Sequence, residues 1–375
     1  MADLKPQANN RLTQISDFLT GNKTATVIPF SPDCTKFPSR KDVPRREDAP
    51  EGAAWVWGQD DYLGRINLLT PARVAAASTE IKSGQIVPLN LPLDVPKIPA
   101  FNRQQFKHEI KELAPGAAYD DIYTMNTQSG TQWDGLRHMA HISTKTFYNG
   151  ERTWCDISYA PKERISKDQK KNGKCGIHHW AQHGIAGRGV LIDYWTYANE
   201  KGMPYDPYEY YCIPYSELYA CGKAQGIDIR PASQGGDIMV GDILFIRSGF
   251  ISTYYSKTPD ARAAAALRPH ALGTADGQRW AGIKQEDVML DWLHDCYFSA
   301  VAGDAPSFEA WPSHEEYMLH EYILAFWGMP LGEMFDLEKL SQTCREKGRW
   351  TFFITSSPSN CEGGVSSHGN ALAIF

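Results

Sequence analysis

The chain has 375 residues, of which 42% are hydrophobic, enough to bury the core of one large domain or two modest ones. Its formal net charge is -6, and with no basic run it lacks the electrostatic footprint by which proteins hold nucleic acid or anionic membrane surfaces. The opening segment MADLKPQANNRLTQISDFLTGN has no apolar stretch of signal-peptide length, and no later run is long enough to span a bilayer, so the expected location is cytoplasmic.

Residues 1–50 are polar and rich in proline, which predicts an arm rather than a domain, with the folded part running over 51–375. In WGQDDYLGRINLLTPARVAAASTEIKSGQIVPLNLPLD the pattern predicts a turn, a helix from Pro71 to Ile81 with Thr70 as N-cap, and a strand through Val87 and Leu89. GRGVLIDYW and GDILFIRSGF read as buried strands, and PYSELYACGKAQG between them as a helix with a serine cap and a glycine stop. Near the end come a helix over 314–327, a turn at Gly328 to Pro330, a helix over 335–346 and the strand RWTFFITSS. Helix and strand signals alternate without a repeat or a long linker, which predicts one α/β domain around a mixed sheet. The eight cysteines are scattered without a CxxC pair, a pattern of free thiols and not of a cysteine-built zinc site.

Two polar constellations interrupt this apolar pattern. In QSGTQWDGLRH, residues 128–138, an extended chain puts Gln128, Gln132 and Asp134 on one face and Trp133 on the other, whereas a helix starting at Asp134 makes Asp134 and His138 neighbours. Either geometry gathers Asp134 and His138 near one point. The competing structural reading makes Asp134 a helix cap and His138 a hydrogen-bonded core residue. In SHEEYMLHEYILAFWGMPLGEMF, His320 shares a helix face with Ile323, Leu324 and Trp327, and the turn at Gly328 could return Glu333 to the same end. Here too a core histidine with an uninvolved glutamate is the alternative. GIHHWAQHGIAGRG, with His178, His179 and His183, reads as a loop near the site, and Ser248 lacks the G-x-S-x-G of a hydrolase elbow.

GTQWDGLRH resembles the HxGTHxDxPxH motif of the cyclase family of metal-dependent hydrolases, which includes bacterial kynurenine formamidase and isatin hydrolase. The resemblance continues through WGQDDYLGRINLLTP, YNG at 148–150, GRGVLID, GDILFIRSGF, LHEYILAFWGMPLGEMFDLEKL and CEGGVSSHGNALAIF, and so covers about residues 55–375. It implies a swivelling β/β/α domain with a central mixed, barrel-like sheet, and a homodimer or higher oligomer with the site near a subunit interface. It also implies that Asp134, His320 and Glu333 bind metal and that His138 carries acid-base chemistry, assisted by Asp134. Gln128 and Gln132 stand where the motif has histidine ligands, and Leu136 where it has proline. An amide offers an oxygen in place of an imidazole nitrogen, which disfavours zinc relative to harder ions such as manganese or magnesium.

The implied activity is hydrolysis of a carbon-nitrogen bond in a small cyclic or aryl amide, or of a related lactone. Trp133, Tyr123, Trp154, His141 and Trp311 are the candidates for contacting such a substrate. Two other activities fit the same residues: a metal-free lyase or cyclase that uses Asp134 and His138 as an acid-base pair, and a binding protein that keeps the pocket without chemistry.

Overall fold

Short, wholly apolar runs set the centre of the fold. The structure, a computed structural model, describes residues 29–44, 46, 49–151, 173–270 and 277–375; most of the expected arm, and Trp154, lie outside the described residues. In chain order the strands are β1 (Ile86–Pro88), β2 (Lys107–Ala114), β3 (Ala118–Thr124), β4 (Gln132–Asp134), β5 (Ile185–Ile192), β6 (Tyr211–Ile213) and β7 (Ile243–Ile246). They continue as β8 (Ala281–Ile283), β9 (Ala300–Gly303), β10 (Leu331–Glu333), β11 (Thr351–Ser356), β12 (Ser366–His368) and β13 (Ala371–Ile374).

Nine of these form one mixed sheet in the order β1-β13-β11-β5-β7-β9-β10-β4-β12, curled into a half-barrel. The run β5-β7-β9-β10 is parallel, and β7 and β9 are buried at every position, as expected where both faces are covered. Outside that run the pairing is antiparallel, through β11, β13 and β1 on one side and β4 and β12 on the other. The α/β class and the mixed, barrel-like sheet expected from the sequence are what the chain forms.

Four local expectations change. The helix after Thr70 is α-helical only over Pro71–Ala77 and continues as a 3-10 turn over Ser78–Glu80; Thr70 makes no capping bond, and the proline at the first helical position supplies the start. The helix Tyr215–Gln225 begins behind Pro214 without a serine cap, although Gly226, at φ 81, does end it. The helix expected over 314–327 is short and mostly π-helical, over Glu321–Phe326. Its start is set by side chains: the Glu309 carboxylate accepts the N–H groups of Leu319 (2.6 Å) and His320 (3.0 Å), and that of Glu321 accepts Met318 N–H (2.8 Å). After the turn at Gly328 the chain enters β10 before the last helix, Glu338–Lys347.

The described part of the N-terminal segment lies against the body. Phe37 stacks on Tyr297 at 4.4 Å, and Arg40 reaches Asp291 at 2.7 Å.

Candidate functional site

The site begins with a register. β4 and β10 pair antiparallel, with Glu333 opposite Gln132 and Gly332 opposite Trp133. Alternation then puts Gln132, Asp134 and Glu333 on one face of the sheet and turns Trp133 to the other. The bare Gly332 makes room for that ring, because a Cβ there would sit 2.9 Å from Trp133 Cζ3 and 2.6 Å from Phe335 Cε2. The packing of Trp133 on the core side therefore fixes the polar residues on the other.

On the polar face Gln132, Asp134 and Glu333 are buried, with His320 above them. Suitable ligand atoms of Asp134, His320 and Glu333 all lie within 4.8 Å of one another. Gln132 Nε2 donates to Glu333 Oε2 at 2.6 Å, which leaves Gln132 Oε1 buried without a partner; Asp134 Oδ2 is likewise buried without a hydrogen bond. His320 Nε2 lies 3.1 Å from Glu333 Oε1, and its Nδ1 lies 2.6 Å from Glu309 Oε1. Glu309 is itself held by Gln285 Nε2 at 2.7 Å.

The electrostatics follow from this crowding. Burial opposes a charged His320, yet its hydrogen bonds to Glu309 and Glu333 outweigh it and raise its pKa well above the imidazole value. Burial and the neighbouring Asp134 raise the pKa of Glu333. Both shifts express one demand: three carboxylates around one imidazole call for positive charge, as a proton or as a cation.

At the rim, Gln128 Nε2 donates to Asp134 Oδ1 at 2.6 Å and lies 2.9 Å from His138 Nδ1. His138 Nε2 stands 3.6 Å from Asp134 Oδ2. Burial lowers the His138 pKa, which leaves its imidazole neutral and able to accept a proton at pH 7. His138, His320 and Glu333 line a cleft of about 160 Å³, together with Phe101, Arg103 and Trp311. Ser307, whose hydroxyl is buried without a partner, lines it as well.

The structure thus brings together Asp134, His138, Gln128, Gln132, His320, Glu333 and Trp311. Residues 135–138 form a turn and no helix, so Asp134 is not a helix cap. Gln128 departs from the expected ligand role: a carboxylate can only accept, so the Gln128 nitrogen faces Asp134 and the residue positions Asp134 and His138. Trp133 is not on the cleft wall, since its fully buried ring packs edge-on to Phe335 at 5.0 Å and donates to Ser356 Oγ. Tyr123 is away from the cleft, 54% exposed on β3 beside Phe106. His141 is outside it too, bridging to Thr146 with its ring tilted against Phe326. Trp154 lies outside the described residues.

His178, His179 and His183 belong to a short helix and not to a loop, and none lines the cleft. Ser248 donates to Asp304 through both its N–H and its hydroxyl. Glu309 and Arg103 escaped sequence reasoning. Glu309 precedes His320 by 11 residues without a motif to join them, and Arg103 lies in a polar loop.

A solved structure described as a novel cyclase is 27% identical with a TM-score of 0.68, covering 85% of this chain and 98% of that one. Isatin hydrolase A from Ralstonia solanacearum is 19% identical with a TM-score of 0.52, covering 82% of this chain and 98% of its own, a likeness of fold. No curated protein sequence matches the chain. The family described as putative cyclase matches residues 87–310, and with the curled sheet and the Asp134, His320 and Glu333 group in place, the chain belongs to that cyclase family.

Proposed function

We propose that the protein is a metal-dependent hydrolase of a carbon-nitrogen bond in a small cyclic or aryl amide, or of a related lactone. The observation that carries this reading is the pair of buried oxygens without donors, Asp134 Oδ2 and Gln132 Oε1, beside Glu333 and His320. Buried acceptors are costly unless something positive meets them. Asp134, Glu333, His320 and the Gln132 amide oxygen fit a divalent cation, and Glu309 on His320 Nδ1 leaves Nε2 as the donor nitrogen. This oxygen-rich set suits manganese or magnesium at least as well as zinc.

A bound divalent cation supplies carbonyl polarisation and a more acidic water. The protein's own part is to place and move protons. Gln128 holds Asp134 and His138 together, and neutral His138, facing the cleft, accepts the proton of the attacking water and returns it to the leaving group. Trp311 and Phe101, edge to face at 5.3 Å, offer an apolar corner for a ring.

A second reading, a lyase or cyclase without metal, draws support from the raised pKa of His320, because a proton there supplies part of the positive charge that the carboxylates demand. Calorimetric titration with manganese, magnesium and zinc separates the two. Binding of a divalent cation, loss of activity on chelation, and tighter zinc binding in Gln132→His are expected. Absence of binding for all three ions in both proteins defeats the metal reading.

A further inference from the structure

Among the described residues that line the cleft, Arg103 is the permanent cation, and it stands beside His138, His320 and Glu333. Its Nη1 donates to the Gln128 carbonyl at 2.7 Å, and the Gln128 side chain in turn bonds Asp134 and lies 2.9 Å from His138. The guanidinium is therefore anchored to the residue that positions the acid-base pair. Its other contact is with the Phe101 ring, 5.1 Å from the centroid. Neither contact neutralises it, and it forms no ion pair among the described residues.

The charge of Arg103 reaches the reacting groups. Burial lowers the His138 pKa and Arg103 adds to that effect; burial raises the Glu333 pKa and Arg103 works against it. The backbone is bent to bring it there, since Phe101 and Asn102 both stand in the left-handed region, at φ 59 and 54, which side chains seldom enter. Phe101 and Arg103 thus share the cleft wall, and Phe101 meets Trp311 edge to face at 5.3 Å. A guanidinium next to Asp134, His320 and Glu333 works against a bound cation, so its favourable partner has to be another negative group. The cleft has room for one on a single ring: it measures about 160 Å³, where roughly 10–15 Å³ already admits a water.

We propose that the substrate carries a carboxylate besides its scissile bond, that Arg103 takes this acid, and that the ring bearing it lies in the corner of Phe101 and Trp311. Arg103 is then a specificity-determining residue that selects acidic, single-ring amides or lactones over neutral ones. The inference rests on reading the cleft as the reaction site, but its test does not depend on turnover.

Calorimetric titration with phenylacetate and with its neutral counterpart phenylacetamide provides that test. It is run with manganese and again with EDTA, because a carboxylate can also be held by a bound cation. In both conditions the acid is expected to bind about tenfold or more tightly than the amide, the size of a charge-assisted hydrogen bond. Arg103→Gln is expected to remove that advantage at a wild-type melting temperature without moving the amide, and Arg103→Lys to recover part of it. Equal affinity of the wild type for acid and amide overturns the proposal, as does acid affinity that follows manganese and is unmoved in Arg103→Gln. Failure of manganese to bind would remove the hydrolase reading, while the titrations with EDTA still decide this one.

Discussion

Gln128 and Gln132 do with amides what charged or basic residues could not do in the same place. Each gives an N–H to a carboxylate, Asp134 or Glu333, without adding a group that titrates. Asp134 is the residue on which this arrangement turns, since one oxygen takes the Gln128 bond and the other stays free. Asp134→Asn keeps the size but sets an amide against the Gln128 nitrogen or removes the free acceptor. Activity is expected to vanish while the urea unfolding midpoint stays near wild type; retained activity would show that Asp134 is structural only. His138→Ala is expected to lower kcat by about 10² to 10⁴, the range for losing a general acid-base group. A fall in melting temperature with unchanged kcat would instead make His138 a packing residue.

At the scale of elements, the β4 and β10 pair converts a packing constraint into a site. Gly332→Ala places a Cβ 2.6 Å from Phe335 Cε2 and 2.8 Å from Ala302 Cβ, contacts that strand and ring must move to relieve. A loss of about 1–3 kcal/mol is expected by denaturant unfolding, with weakened cation binding because Gln132 and Glu333 share that register. Wild-type stability and cation affinity would show that the register does not depend on the bare glycine. This pair also shows what the sequence could reveal. Gln132, Asp134 and His138 are legible because local alternation and a turn bring them together within seven residues. The strands β4 and β10 are three residues each, too short to leave a period, so their pairing appears only in the folded sheet. Glu309 and Arg103 were illegible for the same reason: their roles depend on closure between distant segments. The π-helical turn that follows His320 reads from the sequence as an ordinary helix, because part of what sets its start is Glu309, a residue outside it.

At the scale of the whole molecule, one element is left over. The hairpin β2-β3 leaves the body between Arg103 and Gln128, whose mutual hydrogen bond ties its base beside the cleft. It is exposed on both faces along nearly its whole length, with Ile110 63% and Leu113 61% exposed among its apolar side chains. A two-stranded hairpin is at best marginal alone in water, and this one pairs only within itself among the described residues. Its exposed apolar side chains are divided between the two faces, Ile110 and Tyr119 on one and Ile122 on the other, surface of the kind that association buries. The expected occupant is a second copy of the chain, consistent with the oligomer implied by the motif resemblance. Sedimentation equilibrium should show a dimer or higher oligomer for the full chain, and Ile110→Glu with Tyr119→Lys should shift it towards monomer without altering the circular dichroism of the body. A monomer at tens of micromolar, within the range where specific interfaces of about 1,600 Å² hold together, would show that the hairpin serves something other than self-association.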